Sequence, residues 1–265
     1  MQYTDSGGSG EPLVMIHAAG FADWFVPLER EPAVADQRRI RVTRTGYSDP
    51  APARPMSAAD HTAETADLLR GLGIGRARIV AHSSGCVIAL QLALDYPELV
   101  GELVLSEPPL IDPLLPPADR GPVGAVVGPA IGAAVGAAAQ GDLPTAFDTF
   151  LAALCGPLHL SVIESALGRA GLDRAERDSG YCFTGEIPSL LEWQFDEGQA
   201  ARIEQPVLLI AGGDSPVFTH RLIDHLADML PNARTTIVPG HNHLLPLAGP
   251  APLAELLRTP AVLAA

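Results

Sequence analysis

Short apolar runs alternate along the chain with longer stretches that have helical periodicity. Four stretches predict helices, at Ala58–Leu72, Ser84–Tyr96, Thr219–Leu230 and Pro252–Arg258. Six runs predict strands, at Leu13–His17, Arg39–Thr43, Arg78–His82, Glu102–Ser106, Pro206–Ala211 and Ala233–Val238. Because strands and helices alternate, the sequence predicts an α/β fold with a mostly parallel central sheet and helices on both faces.

The alternation stops after Ser106. No strand is predicted until Pro206, and the intervening chain holds Pro-rich and Gly/Ala-rich segments followed by helical stretches at Thr145–Leu154 and Ser161–Ala170. We interpret this part as a helical lid inserted into one α/β domain, because strands resume after it. The predicted organisation is residues 1–107 and 192–265 for the core, and 108–191 for the lid.

The amino-acid composition argues against several classes of binding partner. The chain carries 17 Lys and Arg against 31 Asp and Glu, a net charge of −14, which repels nucleic acid and anionic membranes. Its three cysteines form no metal-binding or disulfide pattern, and we predict no metal and no cofactor. The N-terminal residues lack the features of a signal peptide, which favours a cytoplasmic protein. The uncharged stretch Pro122–Ala139 is interpreted as a buried or lid helix rather than a membrane span.

The most informative stretch is residues 78–100, where a strand leads directly into a helix through Ala81-His82-Ser83-Ser84-Gly85. Ser83 falls at the apex of a tight turn, which brings strand and helix so close that the positions two before and two after must be small. They are Ala81 and Gly85. The turn would expose the Ser83 hydroxyl at the carboxyl end of the sheet and aim the backbone N–H of Ser84 at a developing oxyanion.

This segment resembles the nucleophile elbow, usually G-x-S-x-G, of the α/β-hydrolase fold family, with Ala81 in place of the first glycine. The resemblance runs from about Leu13 to Arg258, outside the insertion. It implies that Ser83 is the nucleophile of a serine-dependent hydrolase. The chain before Leu13 is short, so the first strands common in this fold are expected to be shortened or absent.

The same resemblance implies an oxyanion hole and a base. The loop that follows the strand LVMIH would supply a second oxyanion donor, the N–H of Ala19, beside that of Ser84. His17 is expected to orient this loop. In the late loop PGHNHL the family pattern selects His243 as the general base, with His241 as its competitor. His82 is expected to point away from the nucleophile.

Two carboxylates can complete a triad by holding the imidazole in its productive tautomer. Asp214 follows the strand PVLLIA, where many relatives carry the acid, but it lies one residue before the usual position. Glu107 ends the strand ELVLS and precedes two prolines that fix the backbone after it. The sequence favours Glu107 and leaves Asp214 open.

The resulting hypothesis is a hydrolase that cleaves a small or medium apolar carboxylic ester or lactone through an acyl-enzyme. Phe21, Trp24 and Trp193 are candidate walls of the substrate pocket. Two alternatives stay open: cofactor-free carbon–carbon hydrolysis, perhydrolysis, or a lyase or cyclase step on the same fold, and non-catalytic binding of a small molecule. The expected partner is a small apolar substrate, and the protein could be a monomer or a homodimer.

Overall fold

The computed structural model describes residues 1–48 and 52–258, and these contain one seven-stranded sheet in the order β1-β3-β2-β4-β5-β6-β7. The strands are β1 Gln2–Asp5, β2 Pro12–Ile16, β3 Arg38–Thr43, β4 Ala77–His82, β5 Val100–Ser106, β6 Val207–Gly212 and β7 Ala233–Val238. Six of them are parallel, and β1 pairs antiparallel with β3 at the edge. The predicted α/β fold is confirmed.

The sheet buries both faces, because successive side chains of a strand point to opposite sides. On one face Val14 and Ile16 pack into a cluster with helices α1, α2 and α9. On the other face Leu13 and Met15 pack into a second cluster with α10 and α11. The bounds of these helices are α1 Ala58–Gly71, α2 Ser84–Asp95, α9 Val217–Met229, α10 Leu245–Ala248 and α11 Pro250–Leu257.

Helices fill the chain between β5 and β6. They are α3 Arg120–Ala139, α4 Leu143–Cys155, α5 His159–Leu167, α6 Arg169–Asp178, the π-helical turn Cys182–Glu186, α7 Ile187–Glu192 and α8 Glu197–Ala200. We call residues 108–191 the helical insertion. Its Phe147 and Leu151 are buried in the same cluster as Phe21 and Met15. Its Leu114, Leu115 and Val123 are buried in the first cluster. The insertion therefore contributes to the cores on both faces of the sheet.

Helix α3 is the predicted apolar stretch, and its exposure is unusual for so apolar a segment. By length and composition alone it could cross a bilayer, with a mean hydropathy of 1.6. Only Val123 and Ala134 are fully buried along it, and Val126 is 67% exposed. It therefore belongs to the surface of the insertion rather than to the interior of the protein.

Strand β1 has only four residues, all of them exposed, which agrees with the expectation that the first strands are shortened or absent. The helix predicted at Ser161–Ala170 is two helices, since Gly168 adopts a φ of +76° and ends α5. Glycine adopts this left-handed conformation without the steric cost that a Cβ atom imposes.

Candidate active site

Ser83 lies at the sharp turn between β4 and α2. It has a φ of +49°, a strained value for a residue with a side chain, and it is 6% exposed. Its N–H donates to the carbonyl of Ser106 on β5 (3.0 Å), and its own carbonyl accepts from the N–H of Cys86 (2.8 Å). These bonds hold a conformation that isolated residues avoid, a pattern that clusters at functional sites.

Gly85 shows why this turn requires small residues. A Cβ atom at this position would overlap the carbonyl oxygen of Ile16 and come within 2.8 Å of that of His17. Helix α2 therefore starts in direct contact with the backbone at the end of β2. This contact fixes the turn that presents Ser83 next to the loop after β2.

We expect Gly85→Ala to lower the free energy of unfolding by about 1–3 kcal/mol, because the new methyl group forces α2 away from β2. Gly124→Ala is the matched control, since Gly124 is exposed on α3 with no atom near the added Cβ. That change should instead stabilise the protein by about 0.4–1 kcal/mol. Urea unfolding of both variants checks the pair, and equal effects would contradict the close packing at Gly85.

Glu107 follows β5 and is held from several sides. It is 1% exposed and has a φ of +51°. Oε1 accepts from the N–H of Gly212 (2.6 Å) and from the hydroxyl of Ser215 (2.7 Å). Oε2 lies 3.2 Å from Nδ1 of His243. Both carboxylate oxygens are thus engaged, and the side chain is fixed toward the imidazole.

His243 is partly buried in the loop after β7. In the neutral imidazole the Nδ1–H donates to the Glu107 carboxylate, and Nε2 is then the nitrogen that can accept a proton. The ring packs against His82, with centroids 4.7 Å apart, and against the edge of Trp24. The preceding Asn242 donates to the carbonyl of Cys155, which anchors the loop to the insertion.

Asp214 and His241, the alternative candidates for the acid and the base, lie away from this arrangement. The Asp214 side chain is exposed, and its backbone N–H donates to the carbonyl of His241 (2.8 Å). The ring of His241 faces Gly249, where an added Cβ would stand 2.6 Å from it. The structure therefore brings Glu107, and not Asp214, to His243. The reason is that β5 and β6 are neighbours, so Glu107 reaches under the end of β6.

The loop after β2 is held by hydrogen bonds to its carbonyl groups. The Nδ1–H of His17 donates to the carbonyl of Ala18 (2.7 Å), and the indole N–H of Trp24 donates to that of Ala19 (3.0 Å). Gly20 has a φ of +93°, which lets the chain reverse here. Ala19 and the first residue of α2, Ser84, line the same cavity as Ser83.

This cavity, of about 130 Å³, lies between the ends of the strands and the insertion. Its polar members are Ser83, Ser84, Glu107, Thr219 and His243. Helices α3, α4 and α7 supply most of its apolar wall, namely Val126, Val127, Ile131, Phe150, Ala153, Leu154, Ile187, Leu190 and Leu191. None of its described lining residues is arginine, and the sequence contains no lysine. The cavity is therefore apolar and lacks a permanent positive charge.

The predicted pocket walls need correction. Phe21 stacks on Trp24 in the second core cluster, with centroids 4.6 Å apart. Trp193 stacks on Phe195 and donates its indole N–H to Gln91. None of the three predicted aromatic residues lines the cavity, because each packs within the core. The aromatic residues that do line it are Phe150 and Phe218.

A larger cavity of about 400 Å³ opens between residues 46–48, 52–55 and 177–185. Its lining is mainly polar or glycine, and it contains neither Ser83 nor His243. The smaller cavity is therefore the candidate active site, because the nucleophile and the base candidates meet there.

Two buried histidines near the site lead us to expect that stability depends on pH. Burial lowers the pKa of His17 and of His82 well below the ordinary 6.5, and the positive charge of Arg44 adds to the shift of His17. As the pH falls through 6.5, these two histidines therefore bind protons in the unfolded chain but stay neutral in the folded protein. Unfolding free energy should fall as the pH drops below 6.5, by up to about 1.4 kcal/mol per pH unit for each histidine.

Urea midpoints at pH 7.5, 6.5 and 5.5 measure this dependence, in a range where most carboxylates stay ionised. His17→Asn keeps a donor for the carbonyl of Ala18 but cannot titrate, so it should reduce the slope by about the contribution of one histidine. A wild-type midpoint that does not fall between pH 6.5 and 5.5 would argue against the neutral histidines.

The fold and site define an α/β hydrolase. A strained serine follows a parallel strand, and a histidine paired with a buried carboxylate shares its cavity. A family model of the alpha/beta hydrolase fold matches residues 45–250. The chain belongs to this family.

Particular relatives are similar over different parts of the chain. "Putative carbamate hydrolase RutD" of Stutzerimonas stutzeri is 25% identical over 90% of this chain and 86% of its own length. A 2-hydroxy-6-oxononadienedioate/2-hydroxy-6-oxononatrienedioate hydrolase of Burkholderia vietnamiensis is 36% identical, but over only 40% of this chain and 38% of that enzyme. The crystal structure of an enol-lactonase from Burkholderia xenovorans superposes with a TM-score of 0.76 at 15% identity, covering 97% of this chain and 94% of that one. The two sequence relatives support hydrolase activity, and the structural likeness at 15% identity supports the fold.

Proposed function

We propose that this protein hydrolyses a small, uncharged carboxylic ester or lactone through an acyl-enzyme, with Ser83 as nucleophile. The observation that carries the proposal is the meeting of Ser83, His243 and Glu107 at one apolar cavity. A strained serine turn, an imidazole with a free Nε2 and a buried carboxylate are the parts that acyl transfer needs. The insertion would act as the lid that shapes the acyl pocket.

The reaction follows from the roles of these groups. Nε2 of His243 takes the proton of the Ser83 hydroxyl as Oγ attacks the substrate carbonyl, and the N–H groups of Ala19 and Ser84 stabilise the oxyanion. Glu107 stabilises the imidazolium that forms. The imidazolium returns its proton to the leaving alkoxide, which departs as an alcohol or stays attached if the substrate is a lactone. His243 then takes a proton from a water molecule, which attacks the acyl-enzyme carbonyl. The ester bond to Ser83 breaks and the carboxylic acid is released.

The cavity indicates the kind of acyl group. The volume of about 130 Å³ lies below the roughly 300–1,000 Å³ of typical ligand pockets, which suits a short acyl chain. Its wall offers no arginine and no lysine. A carboxylate in such a pocket would lose its hydration without gaining a partner, at a cost of several kcal/mol. The pocket therefore favours neutral acyl groups.

The lack of arginine and lysine in the cavity wall favours ester hydrolysis over carbon–carbon hydrolysis. The relative from Burkholderia vietnamiensis is named for dienedioate substrates, which carry two carboxylates. Carboxylates in protein sites are commonly paired with arginine or lysine, and the cavity around Ser83 supplies neither. Carbon–carbon hydrolysis of a dicarboxylate is therefore the less favoured reaction for this chain.

A matched pair of esters tests the proposal. We expect 4-nitrophenyl pentanoate to be hydrolysed with a kcat/KM at least about 100-fold above that of the 4-nitrophenyl monoester of glutaric acid, which replaces the terminal methyl by a carboxylate. Release of 4-nitrophenol at pH 7.5 measures both, and the uncatalysed rates are subtracted. A preference for the glutarate ester would contradict the neutral pocket. Lack of turnover of any short ester, together with no fluorophosphonate labelling, would favour a non-catalytic binding protein.

A further inference from the structure

Two buried charges lie behind the loop after β2. Arg44 follows β3 and is 1% exposed, and Glu186 ends the π-helical turn of the insertion and is 3% exposed. Nη2 of Arg44 donates to Oε1 of Glu186 at 2.7 Å. Because both groups have lost their hydration, each depends on the other, and removing one would leave an uncompensated charge.

The guanidinium of Arg44 also contacts the two segments proposed to form the oxyanion hole. Its Nη2 lies 3.1 Å from the carbonyl oxygen of Ala18 and 3.4 Å from Oγ of Ser84. The backbone N–H of Arg44 donates to Nε2 of His17 at 3.1 Å. One side chain thus joins the loop after β2, the start of α2 and the insertion.

The contacts to the Ala18 carbonyl also set the direction of the Ala19 N–H. In a planar trans peptide the C=O and the N–H point in opposite directions. The carbonyl of Ala18 is held by Arg44 and by the Nδ1–H of His17. The N–H of the same peptide, which belongs to Ala19, must therefore point away from the guanidinium. Ala19 lines the cavity of Ser83, so this direction decides where its donor is aimed.

Glu186 reaches the same loop by a second route. The hydroxyl of Tyr47 donates to Oε2 of Glu186 and accepts the N–H of Gly20 (3.2 Å). Burial, together with the Glu186 charge, raises the pKa of Tyr47 well above its ordinary 10.0, so the hydroxyl keeps the proton that it donates. Glu186 therefore restrains two successive peptides of the loop, one through Arg44 and one through Tyr47.

The position of Glu186 in the chain links this restraint to the pocket. The next residue, Ile187, begins α7, and it lines the cavity together with Leu190 and Leu191. The turn Cys182–Glu186 is π-helical, a distortion that is often found at functional sites. The same short segment thus forms part of the acyl pocket and holds the charge that restrains the loop.

We propose that Arg44 and Glu186 are positioning residues that aim the Ala19 N–H at the oxyanion, and that Glu186 ties this alignment to α7 of the insertion. The kinetic part of this inference rests on the proposed serine-hydrolase function. The structural part, that Glu186 restrains the loop after β2, does not. The two parts can therefore be tested by separate measurements.

The test compares Glu186→Gln and Tyr47→Phe with wild type. For Glu186→Gln we expect kcat on 4-nitrophenyl pentanoate to fall about 10- to 100-fold with little change in KM, because a misaimed donor weakens transition-state binding only. For Tyr47→Phe we expect a smaller loss of kcat, since Arg44 still holds the Ala18 carbonyl. In both variants, hydrogen exchange followed by mass spectrometry should show faster deuterium uptake in a peptide that covers residues 17–25.

The control is Glu102→Gln, which removes the charge of another buried glutamate that is paired with an arginine, Arg78 (2.7 Å). It should leave kcat and the exchange of residues 17–25 at wild-type values. Unchanged exchange in Glu186→Gln would overturn the proposal, whatever the protein's activity, as would a rise in KM with kcat unchanged. If wild type hydrolyses no ester but exchange still rises in Glu186→Gln, the proposed function fails and the restraint of the loop by Glu186 stands.

Discussion

Ser83→Ala should lower kcat on 4-nitrophenyl pentanoate by at least about 10⁴-fold, because the attacking oxygen is gone while the base and the oxyanion donors remain. The variant should fold, since alanine is smaller than serine and the positive φ at this position costs alanine about as much as serine. Steady-state release of 4-nitrophenol measures the loss. A fluorophosphonate probe followed by mass spectrometry should label wild type and spare the variant.

Ser161→Ala is the control for this experiment, because Ser161 is an exposed serine of α5 whose hydroxyl donates to the carbonyl of Leu158. It should keep wild-type turnover and labelling. If Ser83→Ala retained more than about a hundredth of the wild-type kcat, the acyl-enzyme mechanism would be wrong. If the probe labelled wild type at a residue other than Ser83, that residue would be the nucleophile and the assignment of Ser83 would be wrong.

Glu107→Gln has the second largest expected effect, a fall in kcat of about 10³- to 10⁴-fold. The glutamine oxygen would stay with the N–H of Gly212 and the hydroxyl of Ser215, so its NH₂ group would face His243. Two donors would then oppose each other. The imidazole would move its proton from Nδ1 to Nε2 and could no longer accept one from Ser83.

Asp214→Asn is the matched control, because it makes the same chemical change at the other candidate acid. The exposed side chain of Asp214 has no role in the proposed triad, so kcat should stay within about twofold of wild type. Thermal unfolding of both variants separates loss of activity from loss of fold. A large loss of kcat in Asp214→Asn and a small one in Glu107→Gln would reverse the assignment of the acid.

Local signals were sufficient for six of the seven strands of the sheet. Short apolar runs predicted β2 to β7, and each of these strands buries at least one side chain. The turn at Ser83 was visible because its close packing requires small residues at fixed positions, such as Gly85. β1 gave no such signal, since all four of its side chains are exposed.

Contacts between distant segments left no comparable local signal. Arg44 and Glu186 are separated by 142 positions, and in the sequence each is an ordinary charged residue. The only hint was the placement of Arg44 directly after a predicted strand. Phe150 and Phe218 were missed as pocket walls for a similar reason, because helical periodicity does not tell which apolar face meets the cavity.

The sequence by itself determined the α/β architecture and the sharp turn at Ser83, because these depend on periodicity and on residue size within short segments. Only the tertiary structure decided between Glu107 and Asp214 at the imidazole of His243. The reason is that the partners of a side chain at the end of one strand are supplied by the neighbouring strand. β5 and β6 lie side by side in the sheet although the insertion separates them in the chain, and Gly212 at the end of β6 and Ser215 just after it bond the Glu107 carboxylate.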